Sequence, residues 1–177
     1  MKTYTYQAPL GKGSTKICEI KNSNGEIIGS IQRYFNNRFH RTIDSLWGQN
    51  NYFVRIKARD PEGNEVIDAV RKNYWLGKPD NYIHFTGGSL EGKTFHARQT
   101  NNIIINPEYF IKHNNIEITS KTSSFDWVRF YQDGQEIARW QTRAKERYKT
   151  YVKINNQASV QDPLFYAILG QMLYFIG

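Results

Sequence analysis

The sequence predicts a mainly β protein, an antiparallel sheet curled around one apolar helix at its C-terminal end. Three observations lead there. Three stretches alternate apolar and polar residues on either side of a turn built from Asn, Asp and Gly, the pattern of β-hairpins. The chain closes on "DPLFYAILGQMLYFI", whose only charge is its first residue. The 177 residues include 12 Tyr, 10 Phe and 4 Trp but only 5 Pro, which suits a packed core and argues against disorder. No linker or low-complexity block divides the chain, so one domain over residues 1–177 is expected.

The opening "MKTYTYQAPLGKGST" has no continuous apolar run followed by a small-residue cleavage site, so no secretory signal is expected and a cytoplasmic protein follows. Within it, "GKGST" (Gly11–Thr15) lacks the spacing of a nucleotide-phosphate loop and precedes no credible helix. The first hairpin, "KICEIKNSNGEIIGSIQRY", turns at Asn24-Gly25. Its Cys18 is the only cysteine; it excludes an internal disulfide and lies in an alternating run, where a buried structural thiol is favoured over a nucleophile.

"RYFNNRFHR" follows. Arg33, Arg38, His40 and Arg41 interleave with Tyr34, Phe35 and Phe39, the residue types of a single-strand nucleic-acid surface and equally of an exposed hairpin flank. With no RNP, KH or zinc signature, nucleic acid is the weaker reading. "RTIDSLWGQ" fits a strand or a single helical turn. The second hairpin, "YFVRIKARDPEGNEVIDAVRK", turns through Asp60-Pro61-Glu62-Gly63. "NYIHFTGG", "KTFHARQT", "NIIINPEYFIKHNN" and "IEITSKTSSF" read as further short strands. His84 and His96 fall on neighbouring strands, but no third ligand accompanies them, so no metal site is expected. No cofactor is indicated either.

The third hairpin, "WVRFYQDGQEIARWQTR", turns at Asp133-Gly134. After each of the three turns stands an acid (Glu26, Glu65, Glu136), then two apolar residues, and seven positions on a cation (Arg33, Lys72, Arg143). Either one strand unit recurs, or hairpins share this grammar without repetition. Next comes "RAKERYKTYVK", in which Arg143, Lys145, Arg147 and Lys149 occupy every second position. In a strand all four would project from one face over about 20 Å, a strip able to hold phosphates; in a helix they would scatter.

The tail decides the architecture. Asp162 is a good N-cap and Pro163 suits the first helical position. Thirteen uncharged residues, Leu164 to Ile176, make a helix of about 20 Å, short of the roughly 30 Å hydrocarbon core. It is apolar on nearly every side, unlike an interfacial anchor, and so belongs inside something. Ala167 and Gly170 would let surrounding backbone approach. A sheet closed around it would fill its own lumen and lose its edges, and a lumen so filled excludes a lipocalin-like carrier.

"QEIARWQTRAKERYKTYVKINNQASVQDPLFYAILGQML" resembles the closing segment of the tubby C-terminal-like superfamily, which takes in LURP-one-related proteins, phospholipid scramblases and small bacterial relatives. The shared pattern is an apolar strand, a basic stretch, a Tyr-x-Val-x-Ile-like strand (Tyr151, Val152, Lys153, Ile154 here), then Asp and a hydrophobic helix. The hairpin around Asp60 is similar to an earlier hairpin of the family. Residues 1–50 and 76–126 match only in strand character. The resemblance implies a closed antiparallel barrel of about twelve strands around the buried C-terminal helix. It also implies a non-enzymatic binding or scaffold domain, with basic surface residues on anionic phospholipid headgroups, peripheral at the membrane.

Arg143, Lys145, Arg147 and Lys149 are the candidate headgroup contacts, with Arg33, Arg38, His40 and Arg41 as a second basic patch. The net charge of +8 agrees with an anionic partner without selecting one. A protein-partner module of inhibitor or immunity type is the alternative. No acidic loop of EF-hand type supports calcium-driven scrambling.

Overall fold

The computed structural model describes residues 1–11, 13–46, 53–72, 78, 80–101, 106–122 and 126–175. Ile176, Lys12 and the end of "RTIDSLWGQ" therefore lie outside the described residues, as do Ile103 to Ile105. Twelve strands run in chain order: β1 Lys2–Gln7, β2 Cys18–Lys21, β3 Ile27–Arg33, β4 Arg55–Arg59, β5 Glu65–Lys72 and β6 Asp80–Phe85, then β7 Thr94–Gln99, β8 Tyr109–His113, β9 Ile116–Lys121, β10 Val128–Gln132, β11 Gln135–Arg143 and β12 Lys149–Ile154. Helix α1 (Arg38–Leu46) interrupts β3 and β4, and α2 (Pro163–Leu173) ends the chain. Each strand pairs antiparallel with the next, and β1 closes the barrel on β12 from Lys2↔Ile154 to Gln7↔Lys149.

All three expected hairpins form, as β2–β3, β4–β5 and β10–β11. Asp133 and Gly134 both take positive φ (51° and 78°), the geometry whose twist matches the flanking strands. Each hairpin also carries a register shift, at Ile20/Lys21, Ala58/Arg59 and Phe130/Tyr131, and a shift of this kind sharpens local twist and helps a sheet to curl. Strand alternation sorts the side chains: in β6, Asn81, Ile83 and Phe85 are buried while Asp80, Tyr82 and His84 face outward.

The apolar tail fills the lumen. From Leu164 to Leu173 every residue of α2 except Gln171 is buried. Asp162 caps it by accepting the Leu164 amide at 2.8 Å, with Pro163 at the first helical position. Phe165 packs on Phe85 and Phe95, and Tyr166 on Phe130. Close approach at Gly170 is made by a side chain, where backbone was expected. The Trp140 indole lies on it, and a Cβ there would fall 2.3 Å from the ring. Burying each large side chain of this helix contributes about 1.5–3 kcal/mol, which is why the helix turns inward. Among the described residues no helix is long and apolar enough to cross a membrane.

At its C-terminal end α2 meets polar groups that the strands point inward. Arg71 donates to the Met172 carbonyl at 2.5 Å and to Asn81 Oδ1 at 2.9 Å. The Tyr109 hydroxyl donates to the Leu173 carbonyl at 3.4 Å, and the Ser120 and Tyr174 hydroxyls share a 2.6 Å bond. A cation at the helix C-terminus answers its exposed carbonyls and dipole.

The alternating topology gives the barrel two unlike ends. The turns at 22–26, 60–64, 86–93, 114–115 and 133–134 all lie at one end, the hairpin rim, where α2 enters through 155–162. The described residues of the connections after β1, β3, β5, β7, β9 and β11 lie at the other, the loop rim, where α2 ends. The "RTIDSLWGQ" segment belongs to the loop rim, and over its described part it is neither strand nor single turn but the end of the nine-residue α1. Asn37 explains the helix: its Oδ1 accepts the His40 amide at 2.7 Å, an N-cap bond.

Candidate anion-binding rim

Charge divides along the barrel axis. Counting strand ends and the connections between them, the described residues of the loop rim carry twelve Lys and Arg, six on strand ends and six in connections, against five carboxylates. The hairpin rim carries four against seven. The cations seven positions beyond the acid that follows each turn, Arg33, Lys72 and Arg143, are the last residues of β3, β5 and β11 and all reach the loop rim.

Arg143, Lys145, Arg147 and Lys149 lie there too, but not as a strip along one strand. Arg143 ends β11 and Lys149 begins β12 directly opposite it. Lys145 sits in a 3-10 turn, Ala144–Glu146, and Arg147 and the following Tyr148 take left-handed φ of 55° and 64°. The four exposed cations thus gather on one hairpin tip. Two facing cations would repel; here the Tyr151 ring lies under both, 4.7 Å from the Arg143 guanidinium and 5.4 Å from the Lys149 ammonium. Glu146 accepts from Tyr151 at 2.5 Å and from Arg143 at 2.9 Å, and these two bonds, Tyr151's first, hold its carboxyl below the usual range. Lys145 and Arg147 have no side-chain partner among the described residues. They are the free charges of the tip.

The second patch divides. Arg33 is not available to a ligand: its Nη2 meets the Asp44 Oδ2 at 2.5 Å, with the side chains 9 % and 0 % exposed, and burial lowers its pKa. His40 stacks on Phe53 at 4.3 Å. Arg38 and Arg41 are exposed on α1. The cation–aromatic alternation read as a hairpin flank is therefore a strand end followed by a helix. The spacing of Phe39, Ile43 and Leu46 (i, i+4, i+7), with Asn37 before it, was the signal for that helix.

The two patches are continuous through the 8–17 connection. The Ala8 amide donates to the Tyr148 carbonyl at 3.0 Å, and Gln32 Nε2 donates to the Thr15 carbonyl at 2.9 Å. Lys16, with Arg55 and Lys121 at strand ends, adds charge that no motif announced.

Other candidates come apart. His84 bonds Thr94 Oγ1 at 2.9 Å and His96 bonds Asp80 at 2.8 Å, with Tyr82 stacked on both rings. They share no ligand position, and the described residues contain no group of three metal-ligating side chains. Cys18 is buried, its thiol pushed up to about 11 chiefly by desolvation. Beside it Lys16, Gln171, Met172 and Phe175 line a cavity of about 30 Å³, room for a water and far below a metabolite pocket. At the opposite rim Ser89, Leu90, Ser159, Gln161 and Asp162 border a solvent-open depression of about 420 Å³.

No curated protein and no solved structure matches the chain significantly. A family model does, over residues 4–176, nearly the whole barrel with its central helix, and the chain belongs to the family of the Tubby C-terminal like domain.

Proposed function

We propose that the protein binds anionic phospholipid headgroups with its loop rim, the tip formed by Arg143, Lys145, Arg147 and Lys149 providing the leading contacts. The fold of its family is a non-catalytic binding scaffold. The observation that carries the reading is the segregation of charge: one end of the barrel is strongly basic and the other is acidic. Facing an anionic surface, such a molecule is oriented before contact, and each cation near the surface contributes about 1 kcal/mol. The tip suits the role because the Arg143–Glu146–Tyr151 cluster fixes the turn and leaves Lys145 and Arg147 for phosphate oxygens.

Sedimentation with phosphatidylcholine vesicles, with and without phosphatidylserine, tests it. The protein should pellet only with the anionic vesicles and be released by salt. Reversing Lys145 and Arg147 to Glu should weaken binding by a hundredfold or more, about 1 kcal/mol for each charge lost and as much again for each introduced. Equal binding to neutral vesicles, or none to either, contradicts the reading.

A further inference from the structure

Helix α1 is built inside out. Asp44 and His40, one turn apart, face the barrel: Asp44 is fully buried, pairs with Arg33 and accepts the Phe53 amide at 3.0 Å, while His40 stacks on Phe53. Phe39 and Leu46, seven residues apart and so on one face, are 69 % and 71 % exposed. Thr42 lies exposed between them, with Arg38 and Arg41 exposed alongside. A surface helix ordinarily turns its apolar stripe to the core; this one leaves Ile43 half-buried, turns Phe39 and Leu46 away, and spends its buried face on an ion pair.

The adjoining 8–17 connection does the same. Leu10 is 77 % and Ile17 49 % exposed, with Lys16 between them. Of the six large hydrophobic residues exposed among the described residues, these four stand on the loop rim. They come from two neighbouring connections and are interspersed with cations. A protein interface of ordinary strength needs a contiguous, closely packed core within roughly 1,000 Å² or more. A bilayer interface has no such requirement, and it rewards apolar residues rimmed by Lys and Arg.

We infer that the loop rim inserts into an anionic bilayer: α1 lies along the headgroups with Phe39 and Leu46 in the acyl boundary, and Leu10 enters beside them. The inference rests on the headgroup-binding reading and adds to it an apolar anchor and an orientation, with the barrel standing on its basic end.

Phe39→Cys, Leu46→Cys and, on the hairpin rim, Glu62→Cys are each labelled with an environment-sensitive fluorophore in the full chain; native Cys18 is buried and its raised pKa keeps it from labelling. With phosphatidylcholine/phosphatidylserine vesicles, the labels at 39 and 46 should shift to the blue and be quenched by brominated acyl chains, while the label at 62 should do neither. The double substitution Phe39→Ser/Leu46→Ser should lower vesicle affinity about tenfold or more with the thermal midpoint unchanged. Sedimentation with anionic vesicles but no shift at 39 or 46 overturns insertion and leaves headgroup binding standing. Absence of sedimentation overturns both. A shift that depends on protein concentration without vesicles assigns the stripe to a second copy of the chain and overturns the bilayer.

Discussion

Arg71 shows what a single side chain does in this fold. Its pKa is lowered by burial, and it supplies donors for the Met172 carbonyl and the Asn81 side chain. Arg71→Leu would keep the stem and leave both acceptors without that donor, so about 2–4 kcal/mol of stability should be lost in urea unfolding. Gly170 carries the opposite constraint: Gly170→Ala drives a methyl into the Trp140 indole and should cost about 3 kcal/mol by the same measurement. At the other end of the helix, burial raises the Asp162 pKa while the Leu164 and Phe165 amides pull it down. Because the folded pKa lies above the unfolded one, its contribution is fully present below the unfolded value and is lost as pH rises through the folded value. Asp162→Asn should therefore gain on the wild type as pH rises from 4 to 7, about the reference carboxylate upward, and Asp162→Ala should lose about 1 kcal/mol with the cap.

At the level of elements, legibility follows the locality of the signal. The three hairpins were readable because Asn24-Gly25, Gly63 and Asp133-Gly134 fix their turns within a few residues. The tail was readable because its cap and its all-round apolarity need no partner to be recognised. The β11–β12 tip was not. Arg147 and Tyr148 adopt left-handed φ without being glycine, a cost met by the Ala8–Tyr148 and Arg143–Glu146–Tyr151 bonds, which join residues that sequence spacing alone does not unite. Alternating cations consequently looked like a strand. Helix α1 was obscured for another reason: its buried face is polar, and only the structure tells which side of an amphipathic helix is covered. Arg147→Gly separates the two roles of the tip. Removing the left-handed penalty should leave stability unchanged or raise it by up to about 1 kcal/mol, while loss of the charge weakens vesicle binding.

The whole molecule is a barrel whose first strand closes on its twelfth and whose last helix fills the space so enclosed. Neither part stands without the other, so truncation before Asp162 should give a chain without a cooperative unfolding transition in calorimetry. Closure also explains the function proposed. Alternating antiparallel strands send successive connections to opposite ends, every second one to the same end, so residues as distant as Lys16, Arg41 and Arg147 share a rim. That convergence was illegible in the sequence, where the basic stretches lie a hundred residues apart. Hydrogen–deuterium exchange with and without phosphatidylserine-containing vesicles tests the account most directly. It predicts slow exchange in α2 under both conditions, and vesicle-induced protection confined to residues 8–17, α1 and residues 144–148. Fast exchange in α2 that slows only when vesicles are added, or protection of the hairpin-rim turns, would contradict it.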